Sequence, residues 1–190
     1  MSLTQYYVAA TLDGFIADRD HSLQWLFTAR SDDGGPPGYR AFISAVGAIA
    51  MGANTYEWIV AHASPGTDPA DAPWPYEQPC WVFTHRELPL PRSSAPIVFA
   101  SGDVAMAHTE MVAATAGRNI WVMGGGDLAG QFADAGVLDE LLVAIAPTTL
   151  GGGAALLPRP LDLTLHDVSR NGDFACLRYA VGRGWMSRNE

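Results

Sequence analysis

Four stretches of this sequence end an apolar run in residues that could hold a nucleotide. "IWVMGGGDLAG" (120–130) stops at Gly124, Gly125 and Gly126, then opens a helix pattern at Asp127 and Leu128. "AIAMGANTYEWI" (48–59) repeats the plan with Gly52, followed by Ala53, Asn54 and Thr55. Glycine lets backbone approach a phosphate closely, and a helix N-terminus offers free N–H donors to an anion. "WVFTHRE" (81–87) ends a third strand in Thr84, His85 and Arg86, and a guanidinium can pair bidentately with a phosphate. "AATLDGFIAD" (9–18) leaves a fourth strand through Asp13 and Gly14. One glycine turn is weak evidence; two, with an arginine strand end beside them, point to a nucleotide.

From Gly124 the spacing G-x-G-x-x-A also fits the loose dinucleotide fingerprint. That fingerprint needs an acid at the end of the next strand. Here Asp139 and Glu140 open the next strand, and its end is Ala146-Pro147. The match is therefore a coincidence of spacing.

Composition removes other chemistries. All eleven basic residues are arginine, so a Walker A loop, a Schiff-base lysine and a serine-lysine hydrolase are excluded. A net charge of −9 argues against nucleic-acid binding. The five histidines show no zinc spacing, so no metal site is expected. Cys80 and Cys176 lie far apart and read as small apolar residues of a reducing compartment. Apolar runs break far short of the roughly 20 residues a membrane span needs, and no secretory signal is evident. A cytoplasmic protein is the expectation.

These stretches need a frame. The 190 residues, 48% hydrophobic, suit a single domain spanning 1–190. Strands are expected at Tyr6 to Ala10, "AIAM", "CWVFT", "PIVFA", "NIWVM" and "LDELLVAIAP". Helices are expected along Tyr39, Phe42, Ile43 and Val46, along "NTYEWIVAH", from Asp103 to Ala116, and in "DLAGQFADAG". Asn54 with Glu57 three residues later reads as a capping box. Residues 64–79 read as a proline-rich surface loop and "TTLGGGAALLP" as another. "LTLHDVS" and "FACLRYAVG" form a terminal hairpin through Asn171-Gly172. The fold class is α/β: three layers, a mostly parallel central sheet and antiparallel C-terminal strands.

The order of these motifs, from Tyr6 to about Val181, resembles the dihydrofolate reductase superfamily. The closest branch is the reductase domain of bacterial riboflavin biosynthesis (the C-terminal part of the bifunctional deaminase-reductase) and its stand-alone relatives. Residues 120–153 carry the resemblance most specifically, and "MGANTYE" comes second. The resemblance implies NADPH as hydride donor. Ala10, Asp13, Gly14 and Ile16 would border the nicotinamide, with Asp13 the candidate catalytic acid. Gly52, Asn54 and Thr55 would bind phosphate. Thr84, His85 and Arg86 would surround the adenosine ribose and its 2′-phosphate. Gly124, Gly125, Gly126, Asp127 and Leu128 would wrap the pyrophosphate and the nicotinamide-ribose side.

Trp25, Tyr39 and Trp58 could wall a planar heterocyclic substrate. The helix before "MG" lacks the carboxylate that holds pteridine in dihydrofolate reductases, and Asp32 and Asp33 lie just upstream of it. Ala53 stands where the family commonly has Arg or another polar residue, a loss that would weaken cofactor binding or relax NADP preference. The "NP" segment typical of the riboflavin branch is missing, leaving Arg30 and Arg40 as candidates for a substrate phosphate. The activity implied is 5-amino-6-(5-phosphoribosylamino)uracil reduction, with dihydrofolate or pteridine reduction second. A non-catalytic NADP-binding module is the alternative from another class, and a homodimer is the expected assembly.

Overall fold

The computed structural model of the protein describes residues 2–32 and 38–182. In chain order it has β1 (Thr4–Thr11), β2 (Phe15–Ala17), a 3-10 turn (Gln24–Thr28), α1 (Tyr39–Ser44), β3 (Val46–Gly52) and α2 (Ala53–Ala63). β4 (Cys80–Phe83), β5 (Ile97–Ala100), α3 (Val104–Ala114), β6 (Asn119–Gly124) and α4 (Gly126–Asp134) follow. The chain ends with β7 (Glu140–Ala146), β8 (Ala154–Ala155), β9 (Leu163–Asn171) and β10 (Phe174–Val181).

Eight strands form one sheet in the order β5-β4-β3-β6-β1-β7-β10-β9. The pairs from β5 to β7 are parallel, and β10 runs antiparallel to both β7 and β9. Parallel strands covered on both faces read as continuous apolar runs, and β3 is buried from Val46 to Met51. On one face α3 and α4 bury Met111, Leu128 and Phe132 against Tyr6, Ile120 and Val122. On the other, α1 and α2 bring Phe42, Tyr56 and Ile59 onto Ile49, Met51 and Trp121. The layers and mixed sheet match the sequence reading.

A polar ladder fixes the register at the end of the sheet away from the glycine loops. Arg178 Nη2 donates to Glu140 Oε1 at 2.7 Å, and Gln5 Nε2 donates to Glu140 Oε2 at 2.8 Å. Asn119 Nδ2 in turn donates to Gln5 Oε1 at 3.1 Å. Four strands, β10, β7, β1 and β6, are joined side chain to side chain. A one-residue slip of any would strand a buried polar group.

Several local expectations differ from the structure. Val46 starts β3 instead of ending the preceding helix, which stops at Ser44. Its apolar character satisfies both patterns, and burial against the sheet decides between them. The loop after β1 contains β2, which pairs with β8 inside the glycine-rich segment read as an irregular loop. The stretch 64–79 has no helix or strand, yet Ala72 and Trp74 are buried, because Trp74 N donates to Arg92 O and Arg92 N to Ala72 O. The terminal hairpin turns at Gly172 and Asp173, one residue later than expected, since Asn171 still pairs with Phe174. Among the described residues no helix is long and apolar enough to cross a membrane.

Candidate functional site

β3 and β6 are neighbours, so the glycines that end them meet. A Cβ built on Gly52 would lie 3.8 Å from both Gly124 O and Gly125 N. The two loops open on one cavity of about 740 Å³. Gly52, Asn54, Thr55, Gly124, Gly125, Gly126, Asp127 and Leu128 all line it, together with Ile16.

The helix starts at this cavity differ from that of α3. α3, whose residues do not line it, is capped by the Asp103 carboxylate, which accepts from Ala105 N at 2.8 Å. α2 and α4 begin at Gly52 and Gly125 with no side-chain cap. Each thus leaves orphan N–H donors and the positive end of its dipole beside the cavity, an arrangement suited to an anion. Asn54 does not cap α2, and Glu57 does not complete a capping box. Both side chains instead accept from Arg86, which lies across the start of the helix.

Gly126 is required by packing. A Cβ there would collide with the carbonyl oxygens of Ala155 and Leu156. β8 and the residues after it press on the start of α4, where Tyr6 Oη donates to Leu156 O at 3.0 Å. Arg159 Nη2 reaches Asp127 Oδ1 at 2.9 Å, and its Nε reaches Asp134 Oδ2 at 2.9 Å. The acid at the cavity's helix end is therefore neutralised.

The wall beside the start of α4 is Ile16 and Ala17 of β2 with Ala154 and Ala155 of β8. Asp13 builds this wall without lining the cavity. Its carboxylate accepts from the Thr11 hydroxyl, from Leu150 N at 3.0 Å and from Gly151 N at 2.7 Å. The Thr11 hydrogen bond, its largest influence, and those amides hold its pKa below the ordinary carboxylate value despite desolvation. These bonds tie the loop after β1 to the segment before β8. Ala10 has no exposed surface, and Ala9 lines the cavity instead, as strand alternation requires. Gly14, Thr84, His85 and Arg86 also lie outside the lining.

Seven aromatic residues and several aliphatic ones make up much of the rest. Trp25, Tyr39 and Trp58 line the cavity, and Tyr7, Tyr76, Phe83 and Trp121 join them. Tyr7 stacks on Phe42 with ring centroids 4.3 Å apart, and Tyr39 meets Trp121 edge-on at 6.1 Å. Burial pushes the Tyr39 and Tyr76 phenols up, so both remain neutral donors near pH 7. His21 also lines the cavity, with φ at 59°, in a loop whose Asp18 carboxylate accepts from Asp20 N and Ser22 N. Sequence reasoning missed Tyr7, Tyr76, Trp121 and His21. Alternation along β1 and β6 could have found Tyr7 and Trp121; nothing periodic marks Tyr76 or His21. Arg30 and Asp32 stand apart, bonded to the hairpin turn at Asp173 and Gly172.

A parallel sheet with an antiparallel C-terminal hairpin, and two uncapped glycine helix starts over one aromatic cavity, define an α/β domain of the dihydrofolate reductase kind. A dihydrofolate reductase from Enterococcus faecalis, solved with NADP(H), shares this fold with a TM-score of 0.55 and 12% identity, over 94% of this chain and 96% of its own. The chain belongs to the RibD C-terminal domain family, whose profile matches residues 4–171. It is 29% identical over 180 residues to the Bacillus subtilis (strain 168) protein YwjB, covering 93% of this chain and 96% of that one. A crystal structure of a protein from Shewanella sp. PV-4, named for riboflavin biosynthesis, matches with a TM-score of 0.78 and 22% identity, over 95% of this chain and 99% of its own.

Proposed function

We propose that the protein is an NADPH-dependent oxidoreductase that reduces a small heterocyclic substrate of the riboflavin-biosynthesis type. The observation that carries this reading is the convergence of the uncapped starts of α2 and α4 on one cavity. Pyrophosphate would lie across Gly52, Asn54, Thr55 and Gly124 to Leu128, with Thr84, His85 and Arg86 toward the adenosine end. Gly14 and Ile16 would border the nicotinamide on the β2 and β8 wall, beside the backbone of Ala9 and Ala10. The cofactor supplies a hydride when bound. The chain's own part is to orient the ring against that hydride, exclude water and hold the β2 and β8 wall through Asp13. The acceptor is a C=N, or a ribose carbon in equilibrium with an imine or aldehyde, as in 5-amino-6-(5-phosphoribosylamino)uracil. A pteridine is the second candidate.

Titration with NADPH, followed by nicotinamide fluorescence, tests the cofactor. An absence of binding at millimolar concentration would sink the proposal. The neutralised Asp127 and committed Asp13 favour one rival, a nucleotide-binding module without turnover. Binding without NADPH oxidation, across pyrimidine and pteridine substrates, would select that rival. The reductase would work in the cytoplasm as a homodimer, with the exposed apolar row on β9 as the pairing surface.

A further inference from the structure

Tyr39, Tyr76 and Trp25 line the cavity, and each carries a hydrogen-bond donor that the protein leaves unmet or nearly so. Among the described residues the Tyr39 hydroxyl meets no hydrogen-bond partner. The Tyr76 hydroxyl donates to Met123 Sδ at 3.9 Å, and a thioether is a weak acceptor. Trp25 is 8% exposed, and its indole N–H, which can donate and never accept, is buried without a partner.

The two phenols are neighbours. Tyr39 opens α1, and Tyr76 comes from the loop between α2 and β4, where it meets the buried Trp74 edge-on at 5.6 Å. Both rings also meet Trp121 of β6 edge-on, Tyr39 at 6.1 Å and Tyr76 at 6.0 Å. Burial pushes the Tyr76 phenol up, and the nearby Tyr39 adds to that effect. Burial does the same to Tyr39, so both hydroxyls keep a proton to give near neutral pH. A donor taken out of water without an acceptor is costly. A ligand that brings the acceptor therefore gains what one without it loses.

We infer that Tyr39 and Tyr76 determine specificity by donating to a carbonyl oxygen on the edge of a planar ring, so that the site selects ring carbonyls over ring amino groups there. The inference deepens the reductase reading and rests on it for the presence of a heterocyclic substrate in this cavity. A carbonyl oxygen has two lone pairs and can take both phenol protons at once. An amino group at the same edge sets its own protons against those of the phenols. A phenol oxygen, whose lone pair is shared with its ring, is the weaker acceptor in that pairing.

The test uses the full chain and two pteridines that differ only at that edge: lumazine, the 2,4-dione, and 2,4-diaminopteridine. Tryptophan fluorescence quenching near neutral pH gives their affinities, with and without saturating NADPH. Lumazine should bind about tenfold tighter, the order of one to two hydrogen bonds. Tyr39→Phe and Tyr76→Phe keep both rings and should leave the melting temperature unchanged. Each should weaken lumazine about fivefold, leave 2,4-diaminopteridine within about twofold, and together they should erase the preference. Equal losses for the two pteridines in these variants would mark a packing role and overturn the inference. A wild-type protein that prefers 2,4-diaminopteridine, or binds neither ring, would overturn it too. Failure of NADPH to bind, while the lumazine preference and its loss in the variants persist, would remove the cofactor reading and leave this inference standing.

Discussion

The Arg86 guanidinium is held by Glu57: its Nη2 lies 2.9 Å from Oε2 and its Nη1 lies 3.2 Å from Oε1. Asn54 Oδ1 takes a third bond from Nη2 at 3.0 Å. The residue best suited to a 2′-phosphate thus starts with its charge balanced. A phosphate must share the guanidinium with a like-charged carboxylate, whereas a plain ribose hydroxyl could donate to Glu57. On the proposed cofactor reading, and with Ala53 beside it, this pair would make Glu57 a brake on NADP preference.

Glu57→Gln should therefore raise the NADPH-over-NADH affinity ratio several-fold. Arg86→Ala should lower NADPH affinity by about 1.5–3 kcal/mol, the scale of a charged hydrogen bond, and NADH affinity much less. Both side chains are about half exposed, so folding stability should change by no more than about 1 kcal/mol. Calorimetric titration of both nucleotides decides it; equal losses for the two in Arg86→Ala would remove Arg86 from the 2′-phosphate site.

Two glycines at the cavity should respond differently to alanine. At Gly126 the new methyl meets the fixed carbonyls of Ala155 and Leu156, so Gly126→Ala should cost about 1–3 kcal/mol in urea unfolding. Gly52 has φ −82° and ψ 166°, open to any residue, and its methyl would make only van der Waals contact. Gly52→Ala should keep wild-type stability and lose NADPH affinity, because the methyl occupies the approach to the α2 start. Equal affinity in a stable Gly52→Ala protein would move the phosphate elsewhere.

His108 gives stability a pH dependence far from the cavity. Its Nε2 is 2.9 Å from Thr4 Oγ1, and its ring meets Phe132 edge-on at 6.2 Å. Burial pushes its pKa below the ordinary 6.5, and the nearby Asp139 carboxylate opposes that only in part. The unfolded chain then binds the proton more readily. The stability contribution is complete above about pH 6.5 and is lost as pH falls from there through the lower folded-state value. Asp13 and Asp173, both held below 3.8, contribute above that range and lose their share only in stronger acid. Melting temperature should thus decline in two separate windows, and His108→Gln should flatten the upper one alone. An unchanged upper decline in that variant would clear His108 of it.

Where one residue served one pattern, the sequence was enough. The glycines ending β3 and β6 announced two helix starts, and the strand order then brought them together. Val46 served two patterns, and only packing against Trp121 and its neighbours resolved them. Asn54 and Glu57 had cap spacing, but Arg86 lies 29 residues from Glu57, and no local rule anticipates so distant a partner. Asp13 was legible as a loop acid. Its commitment to Leu150 and Gly151 depends on the β2–β8 pairing, which two short segments hardly encode.

The edge strand β9 tests the assembly. A register shift opposite Arg178 and Tyr179 puts Leu165 and Val168 on one face despite their spacing of three. With Leu163 they form an apolar row, 40%, 52% and 60% exposed at Leu163, Leu165 and Val168 respectively. A long exposed apolar edge is a template for pairing with another chain, and a second copy offers the same row across a two-fold axis. A homodimer joined there should sediment as a dimer at micromolar concentration. Val168→Lys, or Leu165→Glu as an independent check, should shift it to monomer and change monomer stability by no more than about 0.5 kcal/mol. A wild-type monomer, or a dimer indifferent to both charges, would exclude β9 as the pairing surface.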